Sequence, residues 1–274
     1  MVLLEKVFGS IMSEKLQAII LFEAYFNWIQ KIVYSKHMNR MIKRHKLMPE
    51  ESGKHGNKGS MLKLLHCNIN SVMHVPHTAV SADLKNAFDS AQQAVACMSV
   101  RSIGVPAGIA TMFLLCFQTM SYHLSTDYGI SEDFSSNEKS HFAFLLQGSG
   151  LAPLTFMAMT ALMLYSYKDR GHSIAYVSPV LALLLLAVTL AVVMFVDDMD
   201  LIFASDCEEE TVESFIDKVQ DGVTDWAKTV MATGGEINSM KSFANIWIPC
   251  FNRATGECNW TKKRRLPRAV LKIP

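Results

Sequence analysis

The sequence predicts an α+β fold, and three observations carry that prediction. Apolar residues recur at helical spacing in several long segments. Between these segments lie short β-prone runs bounded by turn residues. The sharpest of the runs, Met194–Ile202 (MFVDDMDLI), sets two adjacent aspartates between apolar residues. Polar residues between two β-prone runs mark a tight hairpin, and aspartate tolerates turn conformations. Two readings are open at that point. The aspartates are plain turn residues, or they are carboxylates held at a hairpin tip for a divalent cation, which takes oxygen ligands. A third carboxylate elsewhere in the chain would decide for the second.

Length and composition set the frame. At 274 residues with 50% hydrophobic and 19% charged side chains, the chain can bury a substantial core. A formal net charge of +1 announces no nucleic-acid partner for the molecule as a whole, so any basic surface is local. The six cysteines, at 67, 97, 116, 207, 250 and 258, include no CxxC pair. That argues against a zinc ribbon or a disulfide scaffold and fits a reducing compartment. His74 and His77 form an HxxH interrupted by Pro76 with no third ligand in sight. Charged Glu5, Lys6, Glu14 and Lys15 argue against a cleavable signal peptide, and an intracellular location, nucleus or cytoplasm, is expected.

Taken in order, residues 13–46 read as helical: Ser13 can cap, and Leu16, Ile19, Ile20, Phe26, Ile29 and Ile32 recur at helical spacing. The basic end (Arg40, Lys43, Arg44, Lys46) suits either a solvated helix terminus or phosphate contact. Residues 49–60 (PEESGKHGNKGS) read as a flexible basic loop. Ala79–Leu84 reads as a short strand that puts Asp83 near its end, and Ser90–Met98 as a helix with Asp89 near its start. A further helix is expected over 102–122, a polar surface loop over 124–140, and a long apolar helix leading from Gln147-Gly148 to a stop at Gly171. Val180–Val196 is apolar apart from Thr189. It is short for a membrane span, which needs about 20 residues, and equally suits a buried segment with a strand. Residues 208–230 form an amphipathic helix, Gly234-Gly235 a turn into a strand over 243–248, and 251–260 a hairpin. The tail (TKKRRLPRAVLKIP) is basic.

Four of these stretches, in this order, resemble the polymerase motifs of reverse transcriptases: ADLKNAFD (82–89), QGxxxAP (147–153), FVDD (195–198) and TGGxxNxxKS (233–242). The spelling is most similar to the non-LTR retrotransposon and group II intron side of that superfamily. The resemblance implies a right-hand polymerase fold, with fingers near 1–80, a palm with an antiparallel sheet near 81–250, and a hairpin with a basic tail over 251–274 that begins a primer grip or thumb. A complete thumb is not expected.

The resemblance also supplies the third carboxylate. Asp83, Asp197 and Asp198 would together bind two magnesium ions, manganese being the alternative, for RNA-templated DNA synthesis. Phe88 would stack on the incoming sugar and exclude a 2′-hydroxyl, the group that separates RNA from DNA. Gln147 and Gly148 would line the nascent base pair, Lys241 would serve the triphosphate as charge partner or proton donor, and Lys54 and Lys58 would reach the triphosphate from the fingers loop. The partners implied are an RNA template, a DNA primer and deoxynucleoside triphosphates, with no membrane. The chain departs from the family pattern at Gln17, Tyr25 and His55, where arginine, aspartate and arginine are usual. Two alternatives stand beside this reading: a catalytically silent nucleic-acid-binding remnant of the same fold, and a membrane or interaction protein spanning at 180–196.

Overall fold

The computed structural model describes residues 2–5, 16–19, 21, 24–32, 38–47, 56–126, 128–135, 145, 148–177, 187–195, 198–205, 210–251, 255 and 258–260. At the start, β1 (Val2–Glu5) pairs antiparallel with β2 (Leu16–Ile19). Leu16–Ile19 is therefore a strand where apolar spacing predicts a helix, because pairing across a ladder satisfies the same backbone groups and four residues of pattern cannot choose between the two. In its described part the remainder of that predicted helix holds two short ones, α1 (Ala24–Gln30) and α2 (Asn39–His45), the second closed by Lys46 at φ 49.

Helix α3 (Gly56–Val72) overturns a second expectation, since residues 56–60 belong to it rather than to a loop. Glycine costs about 1 kcal/mol in a helix, but Leu62 on the next turn packs against the apolar cluster of the main sheet, and tertiary burial decides. Residues 48–55, including Lys54, lie outside the described residues. Strand β3 (His77–Lys85) is three residues longer than the predicted Ala79–Leu84. Asn86, at φ 49, turns the chain into α4 (Ala87–Ser90); asparagine is one of the few residues that visits this region readily. Helices α5 (Gln93–Ser102) and α6 (Ala107–Thr119) are separated by Gly104 at φ 97 and Pro106. Strand β4 (Ser121–Tyr122) replaces the end of the helix predicted over 102–122, and the predicted polar loop carries, in its described part, three two-residue strands, β5 (Ser125–Thr126), β6 (Gly129–Ile130) and β7 (Phe134–Ser135).

The long apolar helix is α7 (Ala152–Asp169), stopped as expected by Gly171 at φ 87. Next come β8 (Ile174–Val177), β9 (Ala187–Leu190), β10 (Val192–Phe195) and β11 (Asp198–Ala204). A membrane helix over 180–196 is thus replaced, in its described part, by two strands, while 180–186 lie outside the described residues. Among the described residues no helix is long and apolar enough to cross a membrane. Thr211 caps α8 (Val212–Ala232) by accepting the Ser214 amide at 3.2 Å. The strands β12 (Glu236–Ile237), β13 (Phe243–Trp247), β14 (Pro249–Phe251) and β15 (Cys258–Trp260) follow, the last two forming the predicted hairpin. The basic tail from 261 lies outside the described residues.

Contacts group the chain into two compact units, 1–48 with 86–160 and 49–85 with 161–274. This is a division by contact, whereas the boundaries at 80 and 250 divide the chain by role. In the first unit Met38, Val100, Ile103, Phe113, Leu151 and Leu154 are buried together, and Phe26 and Ile42 lean against them. The second unit is built on a sheet in the order β10-β11-β3, with β12 and β13 both pairing with the far side of β3. Every pairing in it is antiparallel. Helix α8 lies on one face: a Cβ at Gly222 would collide with the ring of Phe203 on β11, so only glycine admits this approach. Beside it Trp226 and Tyr167, both fully buried, meet edge to face at 5.1 Å. Helix α3 covers the opposite face, where Leu62 packs on Ala79, Val193 and Ile202.

Candidate functional site

Cross-strand partners share a face of a sheet. The register of β3 against β11 pairs Ala79 with Ile202, Ser81 with Asp200 and Asp83 with Asp198, so all six point to the α3 side. Along this face the environment changes from buried (Ala79, Ile202) through half-buried (Ser81, Asp200) to open, where Asp198 is exposed and Asp83 half-buried. The hairpin closes with Phe195 opposite Asp198. The two residues between them, Val196 and Asp197, lie outside the described residues. Two of the three expected carboxylates therefore sit directly opposite each other at the end of the central strands.

The segment after Gly235 wraps around Asp83. The Asn238 amide donates to the Asp83 carbonyl at 2.8 Å, and the Asp83 amide donates to Ser242 Oγ at 3.1 Å. Ser242 Oγ donates in turn to the Asn238 carbonyl at 2.8 Å, and the side chain is buried. This loop sets Lys241 Nζ 3.6 Å from Asp83 Oδ2. Lys241 is too exposed for the ion pair to add much stability, so the contact is positional. Asn238 and Ser242 were not singled out from the sequence, although both are polar letters of TGGxxNxxKS. The signal was there, but it pointed at backbone hydrogen bonds that no spacing rule specifies.

One step inward, Asp200 is held differently. Lys63 of α3 reaches its Oδ2 at 2.7 Å and Ser81 Oγ donates to its Oδ1. On the next turn of α3, the fully buried His66 meets the Tyr176 hydroxyl at 2.5 Å, and Asn70 bonds both. Burial, reinforced by neighbouring His77, lowers the His66 pKa to about 4. His77 stacks on Trp247 at 5.1 Å, and its Nδ1 lies 3.0 Å from the Val75 carbonyl.

The first unit holds Phe88 and Gly148. Gly148 adopts φ 108, a conformation that favours glycine. The loop it opens is clamped by α1: Asn27 Oδ1 accepts from the Gly150 amide at 2.8 Å, and Ser149 Oγ donates to the buried Gln30 at 2.6 Å. A Cβ at Gly150 would strike Lys31 and Asn27. Phe88 is half-buried against Phe156 with ring centroids 4.9 Å apart, and its carbonyl accepts from Leu145. Gln147 lies outside the described residues. Lys58 is exposed in the first turn of α3.

The donor set at the sheet end fits a hard divalent cation. Like charges directly opposite each other destabilise a strand pair, and all-oxygen ligands suit magnesium and manganese. Among the described residues no cluster of three or more metal-ligating side chains forms, which leaves Asp83 and Asp198 as the described pair.

No protein-family model and no curated protein matches the chain. Solved structures do. Telomerase from Candida tropicalis in complex with the TWJ fragment of telomeric RNA superposes with a TM-score of 0.50 at 11% identity, over 83% of this chain. Apo telomerase from Candida tropicalis gives 0.50 at 10% identity, over 80%. The chain spans 34% and 36% of the length of those two proteins. At this identity the likeness concerns the fold alone, an arrangement of mixed helix and sheet shared with those two structures.

Proposed function

We propose that the chain is the polymerase part of a reverse transcriptase, joining deoxynucleotides to a DNA primer on an RNA template. The observation that carries this reading is the direct pairing of Asp83 with Asp198 on one face of the sheet, with Lys241 3.6 Å from Asp83. The fold shared with the two telomerase structures supports it, and the motif spelling supplies the finer assignment to the non-LTR retrotransposon and group II intron side. Asp83, Asp198 and, by resemblance, Asp197 would hold two magnesium ions, with manganese the alternative. When bound, the ions supply charge neutralisation for the triphosphate and a more acidic primer 3′-hydroxyl.

The chain's own groups divide the remaining work. Asn238 and Ser242 fix the Asp83 backbone and so the direction of its carboxylate. The Lys241 ammonium, held at the same point, can donate a proton from Nζ to the departing pyrophosphate, a role in which general acids contribute roughly 10²–10⁴-fold. Sugar selection by Phe88, base-pair contact by Gln147 and Gly148, and triphosphate contact by Lys54 and Lys58 rest on the motif resemblance.

Primer extension on an RNA template with deoxynucleotides and magnesium, run beside Asp83→Ala, tests the proposal. Extension that disappears in the variant supports it. If the two proteins extend equally, the metal site is misplaced. Template–primer binding without extension in either would favour a silent remnant of the same fold.

A further inference from the structure

Between Ala24 and Met48 the sequence contains no aspartate or glutamate, yet it holds Lys31, Lys36, Arg40, Lys43, Arg44 and Lys46. In a chain of net charge +1 this is a strong local excess. The structure puts it to a particular use. Helices α1 and α2 turn Phe26 and Ile42 toward the same buried cluster of the first unit, which leaves their other faces to solvent. On α2, Arg40, Lys43, Arg44 and Lys46 are exposed, and among the described residues none is ion-paired. On α1, one turn apart, Tyr25 is 67% and Trp28 57% exposed. Their rings lie 6.1 Å apart at 30°, two adjacent apolar faces that the fold leaves open. Meanwhile Asn27 and Gln30, on the same short helix, are committed to the Gly148–Gly150 loop, so α1 is anchored through those two side chains.

We infer that the Tyr25–Trp28 pair with the basic face of α2 is a docking surface for single-stranded RNA, bases stacking on the rings and phosphates meeting the cations. The inference rests on the proposed function for the choice of RNA, the template strand. The chemistry itself comes from this surface: stacking platforms with flanking cations are how proteins hold single strands without sequence preference, and phosphate neutralisation makes such binding salt-dependent. Charge complementarity selects this occupant, because a segment that carries six cations and no carboxylate suits a polyanion.

The test is binding of a fluorescent oligo(U) to the full chain without magnesium or nucleotides, where catalysis plays no part. Tyr25→Ala/Trp28→Ala should weaken binding roughly tenfold or more, the scale of one lost stacked base. Tyr25→Phe/Trp28→Phe keeps both rings and should bind like the parent. Lys43→Ala/Arg44→Ala should lower the slope of log K against log salt by about 1.4, two single-strand phosphate contacts at about 0.7 each. Oligo(U) should also quench tryptophan fluorescence in the parent and much less in Trp28→Phe. Unchanged affinity in the alanine pair, or an unchanged salt slope, would overturn the inference. So would tight binding of anionic phospholipid vesicles by a chain that ignores oligo(U). Failure of the Asp83 experiment would leave these readouts standing, so the two proposals fail separately.

Discussion

Asp198 and Asp200 lie two residues apart on one strand and point to the same face, yet the fold treats them in different ways. Asp200 sits under α3, its carboxylate 14% exposed, gripped by Lys63 at 2.7 Å and by Ser81. Asp198 is exposed at the strand end, and the residue opposite it is another aspartate. Inside the sheet a carboxylate is tied to a cation of the same fold, as burial demands. At the end of the sheet two carboxylates face each other in the open, with the exposed Lys241 3.6 Å from one of them, where solvent can deliver a further cation. The same residue type at neighbouring positions is thus structural in one place and a candidate ligand in the other, and the covering helix makes the difference.

Four experiments would break or sharpen that contrast. The largest effect is expected from Asp198→Asn, which should cut primer extension by about 10³-fold or more, since a metal site is worth several kcal/mol of transition-state stabilisation. Lys241→Ala should reduce extension by roughly 10²-fold at saturating nucleotide, without moving the thermal midpoint. Asp200→Ala should do the reverse. It removes the partner of a half-screened Lys63, so unfolding in urea should show a loss of roughly 1–2 kcal/mol, while the remaining folded protein still extends primers. The fourth effect is read against pH. His66 folds neutral, its pKa lowered to about 4 by burial and by His77, whereas the unfolded chain takes up its proton near the ordinary 6.5. Stability should be flat above pH 6.5 and fall as pH drops from 6.5 toward 4, by on the order of 2–3 kcal/mol. His66→Gln should flatten that slope, and a slope that survives would assign it to other groups.

The sequence made the strand–hairpin core readable because each part has a local signature. Asp83 near a strand end, the amphipathic α8 and the Gly171 stop are all written in residues close together. What it hid are decisions made by distant partners. Leu16–Ile19 looks helical until β1 pairs with it, and Gly56–Ser60 looks like a loop until α3 docks through Leu62. Of the site, the motif order named Asp83, Asp198 and Lys241, and the register places the first two face to face. It did not foresee that Asn238 and Ser242 clasp the Asp83 backbone, or that Asp200 belongs to Lys63. Those contacts bridge 155 and 159 residues for the first pair and 137 for the last, separations over which no periodicity speaks.

The most direct test of the central claim is calorimetric titration with magnesium, repeated with manganese, on the parent chain, Asp198→Asn and Asp200→Ala. Binding by the parent and by Asp200→Ala, with its loss in Asp198→Asn, is the predicted result. Equal binding in all three proteins, or loss only in Asp200→Ala, would contradict the account and move the cation away from the facing pair.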